Sequence, residues 1–494
     1  MLNKYFTPTL LLWIILIGAF VVRLHGFNNP VADWHSWRQA DTSSVSRNFI
    51  KYGFDLLHPR MNNISNVQSG MENPQGYFFA EFPIYNATQA GLFSLFHFFT
   101  IEEWGRLVTI FSSLLSIVFL FLLVRKFNNS SLALITAFVF AFLPYNIYYG
   151  RVILPDPSMS MAVLGTIYFF AKSIGQRSKI KDQRSKFTKS NYINLFISLL
   201  FAMLALLLKP FAAFFFLPLV FLAWNAYGFK IFKQWKLWLF AILAVIPLAL
   251  WRIWMTQYPA GIPSNIWLFN GNGIRFRPAF FRWMLYERLT KLFLGFFGLL
   301  PLLLGIFVNW KNAKNTQALF YWSFLISSIL YVCVVATGNV QHDYYQIAVM
   351  PTIALFVGLG SYYFLNLKFA NKAIRSILLI IVFVGAFVYS WGTVGHYFDI
   401  DNHAIVTAGE AVNQLTPANA KIIAPYGGDS SFLYQTNRQG WASFERSLPD
   451  LIKLGANYLV IVNPPESDRV NYAKDYRIIK STQDYILVDL NHKA

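Results

Sequence analysis

The sequence predicts a polytopic α-helical membrane protein, about eleven transmembrane helices followed by a small soluble α/β domain. Three observations carry this. Of 494 residues, 56% are hydrophobic, 18% aromatic and only 13% charged, which excludes a disordered chain or an ordinary soluble protein. The basic residues gather in alternate loops between long apolar runs. Beyond residue 395 the long apolar runs stop and the charges become balanced.

A bilayer-spanning helix needs about 20 mostly apolar residues. Runs of that kind cover 8–25, 106–124, 131–149, 155–171, 191–208, 210–227, 237–254, 291–309, 317–337, 346–366 and 376–395. Alternating the loops from a cytoplasmic N-terminus puts eighteen cations inside, from Lys4 through the basic stretch 172–190 to Arg375, against one anion, Asp182. The short loops opposite hold six: Arg151, Lys209, Arg275, Arg277, Arg282 and Arg288. The net charge of +19 is therefore a positive-inside signature, and no nucleic-acid partner is needed to explain it. The expected location is the inner (plasma) membrane. The first run reads as an uncleaved anchor, since Arg23-Leu24-His25 follows it and no small-residue cleavage site does. Cys333, alone and inside an apolar run, offers neither a disulfide nor a thiolate zinc site.

An odd number of spans delivers two large segments outside the cytoplasm: the first loop, 26–105, and the tail, 396–494. Residues 1–395 then form a membrane domain and 396–494 an accessory domain. The tail carries nine basic and eleven acidic residues. It has a helical pattern at 402–415, a short helix at 448–454, and strand patterns at 420–424, 457–462, 476–479 and 484–488. Its Gly427-Gly428-Asp429-Ser430 turn could cradle a phosphate, although a Gly-Gly pair after a strand more simply turns the chain.

The interiors of the spans are almost free of charge, which argues against a coupled transporter with ionisable groups at the midplane. Arg23, Arg106, Lys236, Arg252 and Lys291 stand at span ends, where snorkelling explains them. Titratable groups collect instead on the extracytoplasmic face. The first loop opens Asp33-Trp34-His35-Ser36-Trp37-Arg38-Gln39-Ala40-Asp41-Thr42, with Arg47 beyond. Asp41-Thr42-Ser43-Ser44 also fits a helix N-terminus with Asp41 as its cap, and Trp34 and Trp37 fit an interfacial belt. Residues 83–100 read as a helix lying in the interface or packed on the bundle.

On these residues the chain resembles the GT-C glycosyltransferases, in particular bacterial members related to protein O-mannosyltransferases and the lipid A aminoarabinose transferase. The matching elements are Ala40-Asp41-Thr42 with Arg47, Glu81-Phe82-Pro83-Ile84-Tyr85, Arg151 to Pro157 around Asp156, Lys209-Pro210, and His342-Asp343-Tyr344-Tyr345. One departure is Phe82, where the aminoarabinose branch has a Lys before paired prolines; if that Lys binds donor phosphate, another cation must do so here.

The resemblance implies an inverting transfer of a sugar from a polyprenyl-phosphate donor to an acceptor hydroxyl outside the cytoplasm. It makes Asp41 the catalytic base. Such chemistry needs a carboxylate to take the acceptor proton and cations where the departing phosphate gathers charge. Glu81 and Asp156 are then candidates for positioning the acceptor or the base, and Asp33 competes for the base role. Arg275, Arg277, Lys209 and Arg151 are the phosphate candidates; Arg275 and Arg277 equally suit lipid headgroups. Trp37, Arg38, His342, Asp343, Tyr344 and Tyr345 are expected at the substrate. His342 and Asp343 could also be a structural pair or ligands of a divalent cation, and no other cofactor is indicated. Partners are the lipid-linked donor, membrane lipids and a glycan, lipid or protein acceptor. A flippase or transporter of a lipid-linked sugar, or a non-catalytic assembly or sensor protein, would share this topology.

The orientation can be tested by reporter fusions. Alkaline phosphatase fused after residue 396 should be active and a fusion near residue 181 inactive; the reverse pattern would invert the topology.

Overall fold

The computed structural model describes residues 6–174 and 188–493. Lys4, Arg177, Lys179, Lys181, Asp182, Arg184 and Lys186, used above to orient the chain, lie outside the described residues.

Every predicted apolar run falls on helix, but among the described residues seven stretches are long and apolar enough to cross a membrane. These are Ile101–Phe127, Lys189–Leu208, Pro210–Lys233, Trp235–Met255, Thr316–Val334, Asp343–Asn366 and Lys372–Leu415. Thr7–Arg23, Ser130–Phe142 and Leu299–Lys311 are shorter apolar helices. Run 317–337 breaks near its end, at Val335, and two further runs break for local reasons. Run 131–149 ends at Phe142: Pro144 holds Leu143 in an extended conformation (φ −58°, ψ 128°) and opens a separate helix, Pro144–Tyr149. Run 291–309 is split between a π-helical segment, Arg282–Phe293, and Leu299–Lys311. Gly295 turns the chain between them at φ +47°, and a Cβ there would stand 2.1 Å from the Ala386 carbonyl oxygen. The predicted run 155–171 is the helix Asp156–Ser173, whose buried Ser158, Ser160 and Thr166 make it a core element.

The bundle closes through very short helix approaches. A Cβ on Gly305 would meet the Phe356 carbonyl oxygen at 1.9 Å, and one on Gly360 would meet that of Pro301 at 1.9 Å. Small residues thus let the backbones of Leu299–Lys311 and Met350–Asn366 touch.

The first loop contains the helices Ser36–Tyr52 and Ile84–Leu95. The latter buries Tyr85, Gln89 and Ala90 on the bundle and leaves Leu95 exposed, as expected for a helix packed on its side. Ser36–Tyr52 differs from expectation. It begins five residues before Asp41, after His35 in the left-handed region (φ 55°), so Asp41 is inside the helix and is not its cap. Polar along most of its length, it is nonetheless buried from Arg38 to Ser46.

The tail folds as a five-stranded mixed sheet, β1 (Lys421–Ile423), β2 (Gln439–Trp441), β3 (Tyr458–Val462), β4 (Tyr476–Ser481) and β5 (Tyr485–Lys493), in the order β2-β1-β3-β5-β4. β1 runs parallel to β2 and β3, whereas β5 is antiparallel to β3 and β4. The four predicted strands and both predicted helices are present; β2 and the helices Ser430–Gln435 and Glu466–Asp475 were not foreseen. The first loop joins this sheet. Ile64 N–H donates to the Gly440 carbonyl (2.9 Å) and Gly440 N–H to that of Asn62 (3.0 Å), so residues 62–64 extend the β2 edge. Ile64 and Ala32 enter the two apolar clusters flanking the sheet.

Gly305→Ala should cost ~1–3 kcal/mol by overpacking, read as a lower thermal midpoint of the purified protein. Gly392→Ala, in open space, should leave the midpoint unchanged or raise it slightly.

Candidate active site

Two buried charges anchor the loops around the site. Asp343 is fully buried. Its carboxylate has His35 Nε2 at 2.7 Å and accepts from the hydroxyls of Tyr149 (2.5 Å) and Tyr397 (2.7 Å) and the Trp34 indole (3.3 Å). Arg288 stands 3.6 Å away. His35 is thus held in its strained backbone conformation by a short bond to a buried carboxylate. Asp33, also fully buried, accepts from Arg151 Nη2 (2.7 Å) and Gln39 Nε2 (2.7 Å). These donors meet the hydrogen-bonding demand of two buried carboxylates.

Beside this scaffold opens a cleft of about 670 Å³. The helix Ser36–Tyr52 supplies Trp37, Arg38 and Asp41, one helical turn apart, so the base candidate and a guanidinium share a face. The loop after it supplies Gln68 and Glu81; Lys209 stands between Lys189–Leu208 and Pro210–Lys233, Arg252 in the last turn of Trp235–Met255, and Tyr344 and Tyr345 at the start of Asp343–Asn366; an apolar wall comes from Phe211, Leu248, Trp267 and Leu268.

Glu81 is bound to two cations, Arg38 Nη2 at 2.5 Å and Lys209 Nζ at 3.0 Å, and Lys209 also reaches Asp156 at 3.3 Å. Burial alone would raise the Glu81 carboxyl, but Arg38 and Lys209 outweigh it and hold it down to about 2. Asp41 is in the opposite state. Its Oδ1 accepts from the Ser430 hydroxyl (2.6 Å) and its Oδ2 lies 3.4 Å from Gln68 Nε2. Burial pushes it up to about 6, with Ser430 and Arg38 pulling down and the Asp429 and Glu81 charges adding to the rise. Two carboxyl groups on one cleft therefore have very different basicities, the pattern of an acid–base site.

Of the residues singled out from sequence, Asp41, Glu81, Lys209, Trp37, Arg38, Tyr344 and Tyr345 line this cleft. Asp156 reaches it only through Lys209. Asp33 and Arg151 do not line it: each is fully buried and paired with the other, so neither the base role nor the phosphate role suits them. Asp343 is likewise enclosed by its donors and does not line the cleft. His342 stacks on Tyr344 behind the cleft wall (5.6 Å between ring centres) and burial, with His35 nearby, lowers its imidazole to about 4. Arg275 donates to the Val334 carbonyl (3.1 Å) and Arg277 is exposed; neither reaches the cleft. Among the described residues, no group of three or more His, Cys, Asp or Glu is placed to hold a metal ion.

Sequence reasoning missed Arg252, Gln68 and Ser430. Arg252 was visible as a cation at a span end. It differs from a snorkelling residue in facing the cleft, and among the described residues no carboxylate forms an ion pair with it.

A family model described as dolichyl-phosphate-mannose-protein mannosyltransferase matches residues 80–254. No curated protein matches the chain. Among solved structures, ArnT from Cupriavidus metallidurans in the apo state is similar with a TM-score of 0.60 and 14% identity, over 96% of this chain and 97% of that one. The same protein bound to undecaprenyl phosphate gives 0.57 and 13%, over 96% and 97%. The archaeal oligosaccharyltransferase AglB from Archaeoglobus fulgidus, in complex with an inhibitory peptide and a dolichol-phosphate, gives 0.58 and 11%, over 98% of this chain and 74% of that one. At these identities the likeness establishes the architecture: this multi-pass membrane chain has the GT-C fold.

If the Asp33–Arg151 pair is structural, Asp33→Ala should cost ~3–5 kcal/mol by stranding a buried guanidinium. Adding Arg151→Met should recover much of the lost thermal stability. A folded Asp33→Ala protein with an unchanged midpoint would contradict that role.

Proposed function

We propose that this chain is an inverting glycosyltransferase, moving a sugar from a polyprenyl-phosphate donor to an acceptor hydroxyl at the extracytoplasmic face. The observation that carries the reading is the cleft itself, where a basic carboxylate, Asp41, shares one space with Arg38, Lys209 and Arg252. The bound undecaprenyl phosphate of ArnT and the dolichol-phosphate of AglB support a lipid phosphate as the donor's carrier.

The chemistry divides along the electrostatics. When an acceptor oxygen attacks the anomeric carbon, its proton must leave, and Asp41 is the carboxylate basic enough to take it. The glycosidic C–O bond to phosphate breaks on the opposite side of the sugar, and the departing phosphate gains negative charge. Among the described residues no carboxylate forms an ion pair with Arg252, which leaves it available for that charge, whereas Lys209 and Arg38 are already oriented by Glu81. Glu81, held near 2, is a poor base; it fixes the cations instead. Glu81, the other carboxylate lining the cleft among the described residues, is tied up by Arg38 and Lys209, which supports a single displacement with inversion over a glycosyl-enzyme. The apolar wall of Phe211, Leu248 and Leu268 suits a polyprenyl chain arriving from the bilayer. Arg252 thereby takes the phosphate role assigned from sequence to Arg275 and Arg277.

The direct test is Asp41→Asn in the full-length protein, assayed with a polyprenyl-phosphate-linked sugar. Transfer should fall at least ~100-fold, while binding of undecaprenyl phosphate is kept. In the wild type, transfer should decline as pH drops through about 6, because the base is then protonated. Arg252→Ala should weaken undecaprenyl phosphate binding, with Lys restoring it only partly. Normal turnover by Asp41→Asn would overturn the assignment.

A further inference from the structure

We propose that Ser430, in the C-terminal domain, is a positioning residue of the site: its hydroxyl orients the Asp41 carboxylate, so the base is complete only while that domain is seated on the helix Ser36–Tyr52. This rests on the reading of Asp41 as the base. It makes the tail part of the reaction centre, where sequence reading had an accessory module.

The contact spans 389 residues of sequence and is enclosed: Asp41 is 1% exposed and Ser430 6%. The Ser430 oxygen lies 2.6 Å from Asp41 Oδ1 and 3.1 Å from the Trp37 carbonyl. One proton serves both, and the nearer, charged acceptor takes it. Oδ1 is thereby pinned from the domain side. Oδ2 keeps only a long contact, 3.4 Å from Gln68, and remains available to an acceptor hydroxyl in the cleft.

The turn is built for this placement. Gly427 and Gly428, at φ +64° and +88°, reverse the chain just beyond β1. Asp429 caps the short helix that follows, accepting from Ser431 N–H at 2.7 Å, and so points Ser430 at Asp41. The domain is then clamped around the contact. Arg47 donates to the Tyr434 carbonyl (2.9 Å), lies 3.8 Å over the Tyr434 ring and pairs with Glu102 (2.8 Å); the Tyr434 hydroxyl bonds the same Glu102. Gln435 donates to the Val31 carbonyl at 2.8 Å.

The charged groups facing Asp41 act with opposite signs. Ser430 and Arg38, on its own helix, favour the carboxylate; Asp429, on the turn, and Glu81, at the end of the first loop, oppose it. Two adjacent substitutions on the turn should therefore move Asp41 in opposite directions, which mere loosening of the interface would not do.

The test is an infrared titration of the full-length protein in lipid nanodiscs, with the Asp41 band identified by its loss in Asp41→Asn. Ser430→Ala should raise the midpoint by roughly one pH unit, the effect of losing one hydrogen bond to a charged group. Ser430→Thr should return it, and Asp429→Asn, which keeps the cap, should lower it. The acid limb of the transfer rate should move with each. An inactive Asp41→Asn protein beside an unmoved midpoint in folded Ser430→Ala overturns the Ser430 proposal alone. An Asp41→Asn protein that still transfers sugar overturns the base reading, and the catalytic meaning of the Ser430 contact with it.

Discussion

The helix Ser36–Tyr52 has little apolar surface, yet it is buried between the membrane bundle and the C-terminal sheet, so each polar group on it must find a partner in that layer. Much of the surrounding structure answers that demand. Gln39 bonds Asp33, Arg38 bonds Glu81, Asp41 is met by Ser430, Ser46 by Gln89 and Arg47 by Glu102. A helix held this way is expensive to move, because each displaced bond leaves a buried group unsatisfied. Such rigidity is what a site needs when a base and a set of cations must keep fixed separations.

The same layer separates structural charge from working charge. Asp343 and Asp33 are enclosed by donors and do not line the cleft. Glu81 and Asp156 organise Lys209 and Arg38. Asp41 and Arg252 line the cleft without an ion-pair partner among the described residues, and a basic carboxylate and an available guanidinium are the two groups the proposed reaction requires.

The fold class was legible in the sequence because hydropathy over long windows is a local signal, and so were the strands of the tail. The breaks at Leu143 and Gly295 were not separated from the apolar runs containing them, although Pro144 was a visible cause of the first. Of the residues lining the cleft, Asp41, Glu81 and Lys209 could be named from motif order and Arg38 from the polar cluster of the first loop. Which cation serves the phosphate could not, since Arg252, Arg275 and Arg277 all stand near span ends and differ only in what they face. Asp33 stayed a competitor of Asp41 for the base role, and what sets it apart is its pairing with Arg151. Ser430 was noticed as part of a turn; its role depends on a contact between chain segments far apart, which no local pattern records.

The most direct measurement is the structure of the full-length protein with undecaprenyl phosphate bound. The account predicts the phosphate at Arg252, Lys209 and Arg38, with the lipid chain along Phe211 and Leu248 and open space beside Asp41 Oδ2. A phosphate held by Arg275 or Arg277, away from Asp41, would contradict it.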